Sequence, residues 1–96
     1  LKYKSKTTMK YKSKTFFVKV LPNMEYSNVN VIISKKIVKT SVVRNKYKRR
    51  LKEVLRKYYS KDLTNLDFSL YPNKNILNLT FWDIKDELSL IMKKIR

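Results

Sequence analysis

Apolar and polar residues alternate along three short segments of the chain, and this alternation predicts β-strands. Residues 15–21 are rich in β-branched and aromatic side chains and stop at Pro22, which predicts a strand followed by a turn. Residues 29–34 predict a second strand, and the short linker favours an antiparallel hairpin between the two. Residues 66–71 alternate cleanly and predict a third strand, buried on one face.

Residues 41–59 follow a helical period instead, with no Pro or Gly to interrupt it and Ser41 as the predicted N-cap. Their apolar side chains fall within an arc of about 120° on a helical wheel, which predicts a face turned to the core. The members of this stripe are Val43, Tyr47, Leu51, Val54, Leu55 and Tyr58. The opposite side of the helix is densely cationic.

A second helix is predicted over residues 79–95, where Thr80 and Asp83 have the spacing of a capping box. Its apolar residues follow helical spacing and are expected to close the core. The order strand, strand, helix, strand, helix predicts an α+β fold, a small mixed β-sheet packed with helices. A strand–helix–strand crossover of this length is right-handed by default.

The charge is concentrated in two blocks of this 96-residue chain, which has 24 Lys and Arg against 7 Asp and Glu and a net charge of +17. Residues 1–20 carry seven Lys and no acid, and residues 34–61 carry twelve cations and one acid. The first block repeats the run KYKSKT and predicts a basic N-terminal arm over residues 1–14. Residues 15–96 are then expected to form one α+β domain.

Candidate catalytic chemistry is limited because the chain has no His, Cys or Gly. This excludes a Ser-His-Asp triad, a Cys nucleophile, a Cys/His zinc site and a P-loop. The carboxylates look like turn, cap and ion-pair residues, so we expect no catalytic site, no metal bound by the protein alone and no small-molecule substrate. With no apolar window of membrane-spanning length, the expected location is the cytoplasm or an organelle interior.

A cationic helix beside aromatic strands is suited to phosphates and unpaired bases. The residues alone leave open a structural RNA-binding protein, such as one bound to ribosomal RNA. They also leave open a basic module for anionic membranes. Against a membrane role, the apolar stripe of the helix is needed for the core.

Two runs in the middle of the chain resemble the protein subunit of bacterial-type ribonuclease P. The first is Ser34-Lys35-Lys36 at the end of a strand, and the second is residues 42–53, which read VVRNKYKRRLKE. In the second run Arg44, Asn45, Lys48 and Arg49 match the family pattern, while Lys46 and Lys52 stand where Arg is usual. The family has a Gly after Ser-Lys-Lys that is absent here, so the loop is expected to bend differently.

The resemblance implies a left-handed crossover, against the default above, and a ribonucleoprotein whose catalyst is RNA. Its partners would be the catalytic RNA subunit and precursor tRNA, with Mg²⁺ bound by the partner RNA and the 5′ leader removed from the precursor. The RNA-binding residues implied are Arg44, Asn45, Lys46, Lys48, Arg49, Lys52, Lys35, Lys36 and Arg56. A cleft on the sheet would hold the single-stranded leader, with Phe17 and Lys36 as its contacts.

Overall fold

A computed structural model describes residues 8–22 and 25–95 of the chain as a four-stranded sheet with two α-helices. In chain order the elements are β1 (Met9–Lys12), β2 (Phe16–Pro22), β3 (Asn28–Val31), α1 (Ser41–Tyr59), β4 (Leu66–Pro72), a 3-10 helix (Lys74–Asn78) and α2 (Phe81–Ile95). The predicted mixed α+β architecture is therefore confirmed. None of the helices in the described ranges is long and apolar enough to cross a membrane.

The strand order β1-β2-β4-β3 shows that the predicted hairpin between the first two sequence strands is wrong. β4 lies between β2 and β3, antiparallel to β2 and parallel to β3. Pro22 is opposite Leu66 and Asn28 is opposite Asp67, so β2 ends and β3 begins at the same end of the sheet. The intervening chain therefore has to cross only about 10 Å, the width of two strand spacings.

The first strand, β1, was not predicted from the sequence, because it lies within the Lys-rich repeat. Met9–Lys12 pairs antiparallel with β2, with Tyr11 opposite Val18, and Tyr11 is half-buried against the core. The predicted basic arm over residues 1–14 therefore does not extend to Met9–Lys12, which belong to the sheet. Residues 1–7 of the predicted arm lie outside the described residues.

Both helices pack on one face of the sheet and bury a single core. On the sheet side the core contains Phe16, Val18, Phe68 and Leu70, and each is at most 1% exposed. The helical side consists of Leu51, Val54, Leu55 and Tyr59 from α1 and Ile84, Leu88, Ile91 and Met92 from α2. Burial of each large side chain contributes about 2 kcal/mol to stability, which holds α1 firmly on the sheet.

The predicted capping box is confirmed at α2, which begins at Phe81 rather than at residue 79, and the predicted N-cap of α1 is wrong by one residue. At α2 the capping box is confirmed, because the Asp83 carboxylate accepts from the Thr80 amide at 3.0 Å and Thr80 Oγ1 accepts from the Asp83 amide at 3.2 Å. At α1 the N-cap position is Thr40 rather than Ser41, and its side chain makes no capping hydrogen bond. The first turn of α1 is instead held from the preceding loop, as described below.

Since β3 and β4 are parallel neighbours, the chain between them must cross over the sheet, and α1 forms this connection. The crossover places α1 over the core face while leaving its outward side free of the sheet. The left-handed sense implied by the family resemblance stays a prediction.

Candidate nucleic-acid interface

The outward side of α1 carries the cationic side chains that the sequence pattern predicts for it. Leu51, Val54 and Leu55 anchor the helix in the core, so the residues on the opposite arc point away from the sheet. Of the predicted contacts on α1, Asn45, Lys46, Arg49 and Arg56 are exposed, and Lys48 and Lys52 are half-buried. We call these six residues together with Lys57 the cationic face.

A shallow groove runs along the cationic face, lined by Arg49, Lys52, Glu53, Arg56 and Lys57. Four of its five lining side chains carry a positive charge, so it is suited to a polyanion rather than to a neutral ligand. Lys52 and Arg56 lie four positions apart, one above the other on the helix surface. This spacing lets neighbouring cations contact successive phosphates of one strand.

Arg44 has a different position from the other predicted contacts. Its Nη1 donates to the carbonyl oxygens of Val38 and Lys39, both at 2.9 Å. These two bonds tie the loop before α1 to the first turn of the helix. Arg44 is half-buried, and its guanidinium positions the loop whether or not it also contacts RNA.

The Ser34-Lys35-Lys36 run forms a tight turn that needs no glycine. Ser34 Oγ accepts from the Lys36 amide at 3.0 Å, and the Ser34 carbonyl accepts from the amides of Ile37 and Val38. Asn65 is the one non-glycine residue with positive φ in the described ranges, so no residue of this turn adopts the left-handed region. Val38 is 5% exposed and anchors the loop in the core, which is how the loop bends without the Gly.

Substituting Arg44→Ala is expected to lower the free energy of unfolding by about 1–2 kcal/mol, because the substitution removes two hydrogen bonds from a charged donor. The neighbouring exposed residue supplies the control, since Lys46→Ala is expected to change stability by less than about 0.5 kcal/mol. Urea denaturation followed by circular dichroism measures both. Equal stabilities of the two variants would show that the Arg44 bonds do not hold the loop.

The sheet face opposite the helices carries two aromatic side chains side by side. Phe17 on β2 is directly opposite Tyr71 on β4, and their ring centroids are 5.9 Å apart at an interplanar angle of 48°. Lys19 Nζ lies 5.4 Å from the centre of the Tyr71 ring. Phe16 is buried in the core and Phe17 is half-buried, because adjacent residues of a strand lie on opposite faces of the sheet.

Strand register places further residues on this open face, because directly opposite residues share a face. Lys12 is opposite Phe17, and Lys10 is opposite Lys19, so β1 adds two exposed cations beside the rings. We call Phe17, Tyr71, Lys19, Lys10 and Lys12 the aromatic platform. Sequence reasoning missed Tyr71, Lys19 and the two β1 lysines, because only the unpredicted strand order brings them beside Phe17.

The predicted pairing of Phe17 with Lys36 in one site stays a prediction, and strand topology shows only where the two residues lie along the sheet. β3 runs parallel to β4 and ends beside Leu70, next to Tyr71, and the Ser34 turn follows directly. Lys35 and Lys36 are exposed in this turn, which therefore lies at the same end of the sheet as Phe17. The chain thus has two surfaces suited to RNA, one on each side of the sheet.

The carboxylates of Glu87 and Asp83 on α2 both make structural hydrogen bonds. Glu87 accepts hydrogen bonds from the Ser13 hydroxyl and the Thr15 amide, which fastens the β1–β2 turn to α2. Asp83 caps α2. Across residues 8–22 and 25–95, no three His, Cys, Asp or Glu side chains are grouped as metal ligands.

Comparison with known proteins finds one family. The family model described as Ribonuclease P matches residues 3–96. The "Ribonuclease P protein component" of Dictyoglomus turgidum is 36% identical over 84 residues, covering 85% of this chain and 70% of the relative. The protein of the same name from Dictyoglomus thermophilum is 32% identical over 84 residues, covering 85% of this chain and 69% of the relative.

Solved structures show the same fold. The RNase P protein from Thermotoga maritima, in complex with 1-(4-fluorophenyl)-2-thiourea, superposes with a TM-score of 0.80 at 23% identity, covering 95% of this chain and 89% of that one. The Staphylococcus aureus RNase P protein superposes with a TM-score of 0.77 at 22% identity, covering 93% and 82%. At these identities the likeness concerns the fold.

Proposed function

The chain belongs to the ribonuclease P protein family, and from this premise we propose that its two RNA-suited surfaces have different RNA partners. The cationic face binds the catalytic RNA subunit, and the aromatic platform binds the single-stranded 5′ leader of precursor tRNA. As a ribonuclease P protein component, the chain is an accessory subunit of an endoribonuclease and acts in 5′ maturation of tRNA.

The cationic face supports the first assignment through its charge density. Six Lys and Arg residues of this face occur within the twelve positions from Lys46 to Lys57, on the side of α1 away from the core. Neutralising several phosphates releases condensed counterions, so binding is strong and falls steeply with salt. A folded RNA offers phosphates along a continuous surface, which suits the groove between Arg49 and Lys57.

The observation that carries the second assignment is the pairing of Phe17 with Tyr71 on the open face of the sheet. Aromatic rings beside cations are suited to unpaired bases, because bases stack on the rings while the cations contact the backbone. Lys10, Lys12 and Lys19 provide these cations, and Lys36 lies at the same end of the sheet. A duplex would not use such a platform, because its bases are already stacked.

Hydrolysis of the phosphodiester is assigned to the RNA subunit, whose bound Mg²⁺ would activate the attacking water and stabilise the leaving oxygen. The contribution of this chain is to bind and orient the two RNAs through Lys, Arg and aromatic side chains. A cytoplasmic or organelle-interior location stays a prediction.

The comparisons do not favour the alternative of a structural RNA-binding protein such as a ribosomal RNA binder. A membrane-surface role would require the apolar stripe of α1 to face outward. Leu51, Val54 and Leu55 are at most 2% exposed and pack in the core, so this stripe is not available to lipid.

The proposal is tested by measuring tRNA binding to the RNA subunit with and without this protein. The protein is expected to raise affinity for precursor tRNA about tenfold or more, since stacking of each leader base contributes on the order of 1–3 kcal/mol. Affinity for mature tRNA, which has no leader, is expected to change little. Equal enhancement of both substrates would contradict leader recognition by this chain.

A further inference from the structure

A second aromatic cluster lies on the helical layer, where α1 ends and α2 begins. Trp82 is 63% exposed and Tyr58 is 39% exposed, although the sequence stripe predicted Tyr58 in the core. Phe81 lies edge-on to Trp82 with ring centroids 5.2 Å apart and is half-buried against the core. We call Tyr58, Phe81, Trp82, Lys57 and Lys85 the helix-end patch.

Two lysines stand over the rings of the helix-end patch. Lys85 Nζ is 4.5 Å from the centre of the Tyr58 ring and 5.6 Å from that of Trp82, so one ammonium bridges both rings. Lys57 Nζ is 5.5 Å from the Tyr58 ring. The patch thus combines exposed aromatic surface with two positive charges, the combination found where proteins bind single-stranded nucleic acid.

Packing of the core does not require the exposed rings of Tyr58 and Trp82. Tyr59 takes the buried position at the end of α1, and its hydroxyl donates to the Lys85 carbonyl at 3.1 Å. Ile84 takes the buried position in the first turn of α2. With these two residues joining the helices, the rings of Trp82 and Tyr58 are left exposed on either side of Lys85, and neighbouring exposed rings form the kind of patch that marks an interaction surface.

The helix-end patch is continuous with the cationic face. Lys57 lines the groove along α1 and also stands over Tyr58. Both surfaces belong to the helical layer, on the side of the sheet away from Phe17 and Tyr71. An RNA strand that follows α1 past Lys57 therefore approaches Tyr58 and Lys85, whereas a strand bound on the aromatic platform is on the other side of the sheet.

We propose that an unpaired nucleotide of the RNA subunit stacks on Trp82 at the helix-end patch, with Lys57 and Lys85 contacting the adjacent phosphates. The proposal rests on the proposed function, because it takes the RNA bound by the cationic face to be the RNA subunit. The stacked nucleotide adds an aromatic contact next to the cationic face, whose other proposed contacts are electrostatic. Stacking of this kind depends on the ring and not on net charge.

Trp82 is the only tryptophan in the sequence, so its fluorescence reports on the patch without any substitution. In the free protein the exposed ring is expected to be quenched readily by acrylamide. In a complex with the RNA subunit, shown separately to have formed by gel shift, we expect emission to fall and acrylamide quenching to decrease several-fold. If Trp82 emission and acrylamide quenching are unchanged in a formed complex, the proposed stacking on Trp82 is wrong, while the proposed function still stands.

Two further outcomes would also overturn the proposal. A concentration-dependent change in Trp82 emission without RNA would assign the patch to a second copy of this chain. Protection by a leader oligonucleotide, with no protection by the RNA subunit, would assign it to the precursor. Absence of any complex in the gel shift would instead contradict the proposed function.

Matched variants separate stacking from apolar contact in general. Trp82→Ala is expected to weaken binding of the RNA subunit about tenfold, with the slope of affinity against salt unchanged. Leu90→Ala is the control, because Leu90 is similarly exposed at 59% on the same helix but outside the patch. Trp82→Phe is expected to restore most of the affinity. Wild-type affinity of Trp82→Ala, or an equal reduction in Leu90→Ala, would contradict a specific stacking site.

Discussion

Replacing Lys46, Arg49 and Arg56 together by alanine is expected to weaken binding to the RNA subunit by on the order of a hundredfold at low salt. The slope of log affinity against log salt is expected to fall by about one for each phosphate that is no longer neutralised, and thus by about two to three. All three side chains are exposed on the outward side of α1, so the fold is expected to be unaffected. Titrations over a range of salt concentrations measure the slope.

The control for this variant removes the same charge from elsewhere in the chain. Lys74, Lys93 and Lys94 are also exposed but lie outside the cationic face, and their replacement by alanine gives an identical net charge. A smaller decrease in affinity and slope is expected for this second triple variant. Equal decreases in the two would show that overall charge, rather than α1, attracts the RNA.

Removing both rings of the aromatic platform, with Phe17→Ala and Tyr71→Ala together, is expected to abolish most of the preference for precursor over mature tRNA. The preference is expected to fall about tenfold or more, because each stacked base contributes on the order of 1–3 kcal/mol. Affinity for the RNA subunit is expected to be unchanged, since the cationic face lies on the other side of the sheet. Competition between precursor and mature tRNA in the reconstituted complex measures this preference.

Two controls test whether the effect comes from stacking on the platform rings rather than from the loss of any exposed ring or of apolar bulk. Tyr26→Ala removes a ring that is 55% exposed and lies outside the platform, and it is expected to leave the preference unchanged. Phe17→Leu with Tyr71→Leu keeps apolar bulk on the open face but no aromatic surface, so it is expected to behave like the alanine pair. If the variant with Phe17→Ala and Tyr71→Ala keeps the wild-type preference for precursor over mature tRNA, the aromatic platform does not bind the leader.

The residues of α1 show how far a local pattern can predict a site. Nineteen residues without Pro or Gly carry an apolar stripe and a cationic face, and both follow from helical geometry alone. Burial of Leu51 and Leu55 then confirms which face turns outward. The stripe was less accurate at its ends, because Val43 and Tyr58 are 38% and 39% exposed while Tyr59 is buried. Helix ends extend past their packing partners, and periodicity does not show where packing stops.

Arg44 shows that a match to a family motif does not by itself establish what the matching side chain does. Its sequence position predicts an RNA contact, but the bonds to Val38 and Lys39 depend on how the preceding loop folds back. In this chain that loop has no Gly and is held by Ser34, Val38 and Arg44 instead. The same side chain is therefore a positioning residue for the turn that presents Lys35 and Lys36.

By itself the sequence determined the two α-helices, the faces they bury, the α+β class and the cationic face, because each depends on residues close together in the chain. Tertiary structure alone decided that β4 lies between β2 and β3 and that β1 joins the sheet. It thereby decided that Tyr71 faces Phe17 and that Tyr58 approaches Lys85. Such contacts join distant residues, and strand alternation shows which face a residue occupies but not which strand becomes its neighbour.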